Sequence, residues 1–465
     1  MRHQLAHIVG RDVREIAGEH HDADSRGVLL ERERDAGREV APTVVEHAGA
    51  ERSCRGMHVC VRRHDADRET GFEADLHDAP QQEQHEVRAR FDVEDLGQTR
   101  LSAGQRLDGH QRQPPAMGTG YHRAESMSPS PAFPPLRLGY KASAEQFAPA
   151  QLLSFGVAAE RLGLDSVAVS DHFQPFRHAG GHSPASLPWL GALAASTSRV
   201  LVGTSVLTPS YRYHPAVVAQ AFATLGCLAP GRIFLGLGSG EAMNEVAPTG
   251  TEWPGAGERL ERLREAVSLI RELWTYDHVH FEGTWYHTRG ATIYDKSPEP
   301  IPIWIAAGGP KGARFAGAQG GLITTSGKPS ELYSERLLPN AAAGAAEAKS
   351  DPDAIERLIE IKLSYATDRA TAVADCRFWA PLALPAEAKQ GVDDPRELAR
   401  LADELDDEQA ASRFICTGDP DEAVERIAPY LELGFNHLVF HSPATDQLGF
   451  LERFAAEIAP RLRAL

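Results

Sequence analysis

The amino-acid sequence predicts an α/β protein: a (β/α)8 barrel over residues 134–465, preceded by an extension, residues 1–133, of different character. Three observations predict it. Eight short apolar runs recur from Leu136 onward, amphipathic stretches separate them, and no GxGxxG follows the first run. Eight strand-helix alternations over about 330 residues suit a closed barrel better than an open doubly wound sheet. The missing fingerprint agrees, because Gly236, Gly238 and Gly240 in GLGSGE lack the spacing that opens a helix on the third glycine of a dinucleotide site.

The extension comes first. Residues 1–126 hold 18 Arg and no Lys, 24 acidic residues, 11 of the 20 His, and only Phe72, Phe91 and Tyr121 as aromatics. So little apolar surface cannot offset chain entropy, and the segment is expected to be disordered. Arginine without a single lysine also suggests a non-native start, with Met127 as the natural first residue.

The barrel strands follow as LRLGYKA (136–142), SVAVSDH (166–172), LVGTSVLT (201–208), IFLGLGSG (233–240), IPIWIAA (301–307), GLITTS (321–326), IEIKLSY (359–365) and HLVFHS (437–442). Their near-continuous apolar character is that of strands buried on both faces. Between them, 257–274 places Leu260, Leu263, Val267, Ile270 and Trp274 at three- and four-residue steps, which predicts a helix. Two insertions interrupt the pattern: 279–295 alternates like a hairpin, and 378–411 is a polar, helix-prone excursion placed to cover the barrel mouth.

Composition excludes several functions. A net charge of -17 argues against a nucleic-acid surface. No apolar run approaches the roughly 20 residues of a membrane helix. Five cysteines without CxxC spacing suggest neither a disulfide framework nor a zinc site, and a cytoplasmic location without a metal is expected.

In such a barrel the C-terminal strand ends converge on one face. Those ends carry Lys141 and Glu145, then Asp171 and His172, Ser205 to Thr208, Ser239, Gly240, Glu241 and Asn244, Gly308 and Gly309, and Thr325, Ser326 and Lys328. An imidazole and a carboxylate facing one pocket can act as general base and general acid near neutral pH, so His172 with Glu241 carries the signal. Gly308, Gly309 and Pro310 before a helical pattern resemble an anion seat.

The segments LGYKASAEQFAP, SDHFQPF, GTSVLTPSYRYHPAVVAQAFATLGCL, FLGLGSGEAMNE, WIAAGGP, TTSGK, RFWAPLAL and GFNHLVFHSP resemble the glucose-6-phosphate dehydrogenases that use coenzyme F420, a deazaflavin, within the bacterial luciferase-like superfamily. The resemblance runs from about Leu136 to the C-terminus. It implies a luciferase-like barrel, a homodimer, and the deazaflavin lying across the strand ends. It also implies cofactor contacts from Asp171, Ser205, Val206, Thr208, Ser239, Gly240, Asn244, Gly308 and Gly309, with a cis peptide between Ser205 and Val206. His172 and Glu241 match the family's acid-base pair, in either order of roles. Thr325, Lys328, Lys389 and Arg413 match its sugar-phosphate site, where several cations would neutralise one dianion. The implied reaction is oxidation of glucose 6-phosphate at C1 to 6-phosphogluconolactone, with hydride passing to the coenzyme.

This sequence departs from the family at three places. Phe176 stands where the family usually has Trp, Gln390 replaces a His beside Lys389, and QGGL replaces a Gly-Asp-Gly. Phe176 keeps open an alternative, a dehydrogenase of the same group acting on another alcohol or a hydroxylated lipid. The set of Lys328, Lys389 and Arg413 speaks against it, since an apolar substrate leaves cations unpaired. An FMN-dependent monooxygenase and a catalytically silent deazaflavin carrier are the remaining readings, and His172 with Glu241 argues against the second.

Overall fold

The computed structural model describes residues 134–389 and 391–465; the extension expected at 1–133, and Gln390, lie outside the described residues. Eleven strands occur among the described residues. They are β1 (Arg137–Ala142), β2 (Ser166–Val169), β3 (Leu201–Thr204), β4 (Ile233–Leu237), β5 (Val279–Glu282), β6 (His287–Ala291), β7 (Ile303–Ala306), β8 (Gly321–Thr325), β9 (Glu356–Tyr365), β10 (Ile415–Thr417) and β11 (His437–His441). Eight of them pair in parallel in the order β1, β2, β3, β4, β7, β8, β9, β11, and β11 pairs with β1 to close the barrel. These are the eight apolar runs of the sequence. Residues 279–295 contain the antiparallel pair β5 and β6, as their alternation predicts. The short β10, which extends the end of β9, was not anticipated, because three residues carry too little pattern to read.

Helices α1 (Pro149–Arg161), α2 (Ser186–Ser196) and α3 (Pro215–Leu228) follow the first three strands. After β4 come α4 (Ala242–Thr249) and α5 (Ala256–Thr275); α6 (Pro310–Gln319) follows β7 and α7 (Leu338–Glu347) precedes β9. The stripe read in 257–274 is the inner face of α5, where Leu263, Val267 and Ile270 are buried. Each such side chain, fully buried, stabilises the layer between strands and helices by about 1.5–3 kcal/mol.

Inside the barrel, Ala168, Phe234, Trp304, Ile323, Leu358 and Val439 pack together, with the Phe234 and Trp304 rings stacked at 4.4 Å. The fit is tight enough to require glycine on β3: a Cβ at Gly203 would lie 2.2 Å from the Phe234 carbonyl oxygen. At the N-terminal strand ends, buried His437 sits between Ser166 Oγ (2.6 Å) and Glu356 Oε1 (2.8 Å), and Arg137 pairs with the same carboxylate at 2.7 Å. That end is sealed by side chains pairing with one another. Function therefore falls to the C-terminal ends, as barrels of this kind arrange it.

The excursion at 378–411 holds parts of helices spanning Cys376–Ala383, Ala386–Lys389, Pro395–Ala402 and Asp407–Ala411. Trp379, Leu382, Leu384 and Lys389 from it line the cavity at the barrel mouth.

Candidate active site

A cavity of about 810 Å³ opens at the C-terminal ends of the strands. Of the strand-end residues singled out in the sequence, all line it except Leu207, Ser326 and Gly309; Gly309 instead caps the start of α6 while its neighbour Gly308 faces the cavity. The apolar strand β2 stops at Val169, so Ser170, Asp171 and His172 leave the sheet and turn into that space.

His172 anchors one end. Its Nδ1 lies 2.7 Å from Glu145 Oε1 and its Nε2 lies 3.9 Å from Glu241 Oε2. The first contact is close but off the line of a good hydrogen bond, so charge attraction dominates it. Burial pushes the His172 pKa down, yet the carboxylates of Glu145 and then Glu241 outweigh burial, and the net shift is upward. Glu145 is buried too, which favours its neutral form, but the His172 charge overrides that and holds its pKa at about 2. Glu241 is the exposed member, with 56% of its side chain open to the cavity and solvent.

Asp171 and Asn244 shape the wall beside this pair. The Asp171 carboxylate accepts from Ser186 Oγ (2.6 Å), Arg212 Nη2 (2.7 Å) and Tyr213 Oη (3.2 Å), which pins the loop after β2. Asn244 Oδ1 accepts from the backbone N–H groups of Phe173 and Gln174 at 2.9 and 3.1 Å, and its Nδ2 donates to Glu241 Oε2 at 3.4 Å. One buried amide thus holds both the loop of His172 and the carboxylate opposite it. The peptide between Ser205 and Val206 is cis, as the resemblance implies. Gly240 has φ +87°, and a Cβ there would sit 3.0 Å from Thr208 and 3.1 Å from Trp253. Glycine is required on both counts.

The opposite end is cationic. Lys328 follows β8, Lys389 comes from the covering excursion and Arg413 precedes β10, yet all three face one cavity. Among the described residues none of them has an ion-pair partner, and Arg413 Nε has no hydrogen-bond partner. Burial, then Arg413 and Lys389, and then Lys362 push the Lys328 pKa down; burial and Arg413 do the same to Lys389. Such mutual repulsion is tolerable where a dianion is to be bound.

Comparison with known proteins bears on this geometry. The family model for luciferase-like monooxygenases matches residues 132–437. An F420-dependent glucose-6-phosphate dehydrogenase of Beutenbergia cavernae is 60% identical over 330 residues, covering 71% of this chain and 98% of that one. The chain belongs to the luciferase-like family, within its F420-dependent glucose-6-phosphate dehydrogenases. The Mycolicibacterium smegmatis member of these dehydrogenases is 58% identical over 333 residues, covering 71% of this chain and 99% of that protein. Among solved structures, an F420-dependent secondary alcohol dehydrogenase in complex with an F420-acetone adduct matches with a TM-score of 0.66 at 35% identity, over 70% of this chain and 99% of that one. The tetrahydromethanopterin reductase of Methanopyrus kandleri, at 21% identity and a TM-score of 0.60 over 71% of this chain and all of its own, shares the fold.

The wall of this F420-dependent dehydrogenase fits a flat heterocycle. A Cβ at Gly308 or Gly309 would meet nothing within 4 Å, so the β7 end presents bare backbone, whereas after β4 a Cβ at Gly238 would lie 2.7 Å from Val206 and one at Gly240 3.0 Å from Thr208, so glycine there lets the chain pass close to its neighbours. At the departure from the family, the Phe176 ring meets His172 edge-on at 5.3 Å and faces Trp379 at 6.1 Å. The Trp379 indole N–H is directed away, donating to Gln146 Oε1 at 2.8 Å.

Sequence reading noted Glu145 and Lys141 on the rim without giving them a role, and passed over Glu360, Lys362 and His441, which also line the cavity. A signal existed for two of them. Glu360 and Lys362 alternate with Ile359, Ile361 and Leu363 in β9, so both lie on the face that Leu358 turns to the barrel interior.

Proposed function

We propose that this chain oxidises glucose 6-phosphate at C1 to 6-phosphogluconolactone, with coenzyme F420 as the partner that is reduced. The observation that carries the proposal is the pairing, in one cavity, of a carboxylate-backed imidazole at one end with three unpaired cations at the other. The first suits removal of a hydroxyl proton, the second suits a phosphate dianion, and an uncharged alcohol would leave the cations without a partner.

When bound, the coenzyme supplies the hydride acceptor; Ser239, Gly240, Asn244 and Gly308, with Ser205 and Val206 beneath, are the residues that would hold it. His172 Nε2 accepts the proton of the C1 hydroxyl. Glu145, anionic beside Nδ1, stabilises the imidazolium that results, as a buried carboxylate does for the base of an acyl-transfer triad. This favours His172 over Glu241 as the base. Glu241 Oε2, held by Asn244 and open to the cavity, is the group that would give the proton the coenzyme takes up with the hydride. Thr325, Lys328, Lys389 and Arg413 bind the phosphate and so convert remote binding energy into alignment of C1.

The experiment is direct. Purified protein, oxidised coenzyme and a panel of substrates are mixed, and loss of the coenzyme's visible absorbance is followed. Bleaching with glucose 6-phosphate at least about 10-fold faster than with glucose or a simple secondary alcohol is expected from the phosphate contacts. Preference for an uncharged alcohol would overturn the assignment.

Three further readings are proposals of the same kind. The chain is a homodimer, checked by light scattering. It works in the cytoplasm, checked by fractionation; among the described residues no helix is long and apolar enough to cross a membrane. Residues 1–126 are dispensable, since the matched 330 residues account for 98% of the Beutenbergia relative. A chain beginning at Met127 is expected to retain full turnover.

A further inference from the structure

The two ends of the cavity account for the reacting carbon and the phosphate, while its floor is built from other side chains. Lys141 closes β1, Glu360 and Lys362 lie within β9, and His441 closes β11. Glu360, Lys362 and His441 all face inward, because they stand at even steps from Leu358 and Val439 of the barrel interior. Lys141 Nζ lies 3.0 Å from Glu360 Oε2, and Lys362 Nζ lies 2.8 Å from Glu360 Oε1 while donating to Thr325 Oγ1 at 2.7 Å. This ladder of alternating charge runs from beside Glu145 to the phosphate end, and it is internally satisfied.

His441 is not. The residue is 2% exposed, it lines the cavity, and neither ring nitrogen has a hydrogen-bond partner among the described residues. Its Nδ1 lies 3.6 Å from Glu360 Oε1, longer than a hydrogen bond, and that oxygen is already taken by Lys362. Trp379 and Phe414 meet the ring at 4.4 and 5.5 Å and offer no polar atom to it. Burial pushes its pKa down despite Glu360, so the ring is neutral and carries one donor and one acceptor. Buried polar groups are nearly always paired; Nδ1 is turned toward Glu360, and Nε2 is the atom left for a group that a ligand brings.

We propose that His441 hydrogen-bonds a ring hydroxyl of the sugar, at C2, C3 or C4, and so sets which hydroxyl pattern the cavity accepts. The proposal rests on the sugar-phosphate reading above. A neutral imidazole offers one donor and one acceptor on separate ring nitrogens, and an alcohol can meet either of them whereas a phosphate dianion can only accept, and the floor lies between the two ends that hold C1 and the phosphate. Lys141, Glu360 and Lys362 act as positioning residues, keeping the carboxylate occupied so that it does not capture the imidazole.

The test compares kcat/KM for glucose 6-phosphate with its 2-deoxy, 3-deoxy and 4-deoxy analogues, in the unaltered protein and in His441→Phe and His441→Gln. A site built to bond a hydroxyl rejects the analogue lacking it, so the unaltered protein is expected to discriminate against one analogue by about 100-fold or more. His441→Phe is expected to lose rate on glucose 6-phosphate and to flatten that one ratio to below about 10-fold, leaving the other two ratios unchanged. His441→Gln, which keeps a donor and an acceptor, is expected to restore part of it. Binding of the coenzyme, read by fluorescence, checks that each variant is folded. The same ratio in His441→Phe as in the unaltered protein overturns the proposal. So does an unaltered protein that accepts all three analogues within about 3-fold of the parent sugar, a result that needs no variant. Failure of the unaltered protein on glucose 6-phosphate itself would instead overturn the sugar-phosphate reading.

Discussion

The two ends of the cavity hold charge in opposite ways. At the His172 end each charge has its partner built in, with Glu145 against Nδ1 and Glu241 beyond Nε2. At the other end Lys328, Lys389 and Arg413 share a wall and none of them is in an ion pair among the described residues, although Glu241 draws on Lys389 from a distance. The difference teaches where binding and chemistry divide. A group that must cycle between protonation states needs a permanent stabiliser for its charged form, whereas a binding group gains most when its partner arrives with the substrate.

The contrast can be broken most severely at the paired end. His172→Ala removes the proposed base, and turnover is expected to fall about 100- to 10,000-fold while the affinity for the coenzyme, titrated by fluorescence, stays unchanged. Undiminished turnover would move the base to Glu241. At the unpaired end, if Lys389 binds the phosphate as proposed, Lys389→Ala deletes one charge-assisted bond worth about 1.5–3 kcal/mol and is expected to raise the KM for glucose 6-phosphate roughly 10- to 100-fold. Glucose itself, which never uses that end, should be nearly indifferent, and an equal loss for both sugars would assign Lys389 to the fold.

A pH profile sharpens the comparison. Because Glu145 holds the His172 pKa above its ordinary 6.5, kcat/KM is expected to rise with pH through a raised acidic limb as the imidazole becomes a free base. Glu145→Gln removes that carboxylate, and the limb should move to lower pH; a limb that stays in place would deny Glu145 its role. Stability follows the same pair with two signs. The Glu145 contribution, with a folded pKa of about 2 against 4.5 for the free side chain, is complete above about pH 4.5 and is lost as pH falls toward 2. The His172 share runs the other way, complete below about 6.5 and lost as pH rises through its raised folded value.

The smallest effect is expected from the unpaired cations in the resting protein. Saturating inorganic phosphate should raise Tm by roughly 2–4 °C through binding to the native state, and Lys328→Met should reduce that gain. An unchanged Tm with phosphate would remove the anion site from this wall.

Reading residues in order was sufficient for the barrel because its evidence is local. Each strand is an apolar run, α5 is a periodic stripe, and the hairpin of β5 and β6 alternates within 17 residues, 279–295. The strand-end rule then brought His172 and Glu241 to one face without any knowledge of distance. What failed was also local in origin: β10 is three residues long, and the polar residues of β9 and β11 sit inside apolar runs that were counted as strand and nothing more.

By itself, then, the sequence determined the fold, the family, and the identity of the residues at the cavity's two ends, since these depend on pattern and on which residue types occupy the strand ends. Only the tertiary structure decided which carboxylate serves which group. Glu145 and Glu241 are both acids at strand ends, and 27 and 69 positions of chain separate them from His172. Their fates differ because one is buried at 2.7 Å against Nδ1 and the other is exposed at 3.9 Å from Nε2. Coulomb energy depends on separation and on local dielectric, and neither quantity is written in the order of residues.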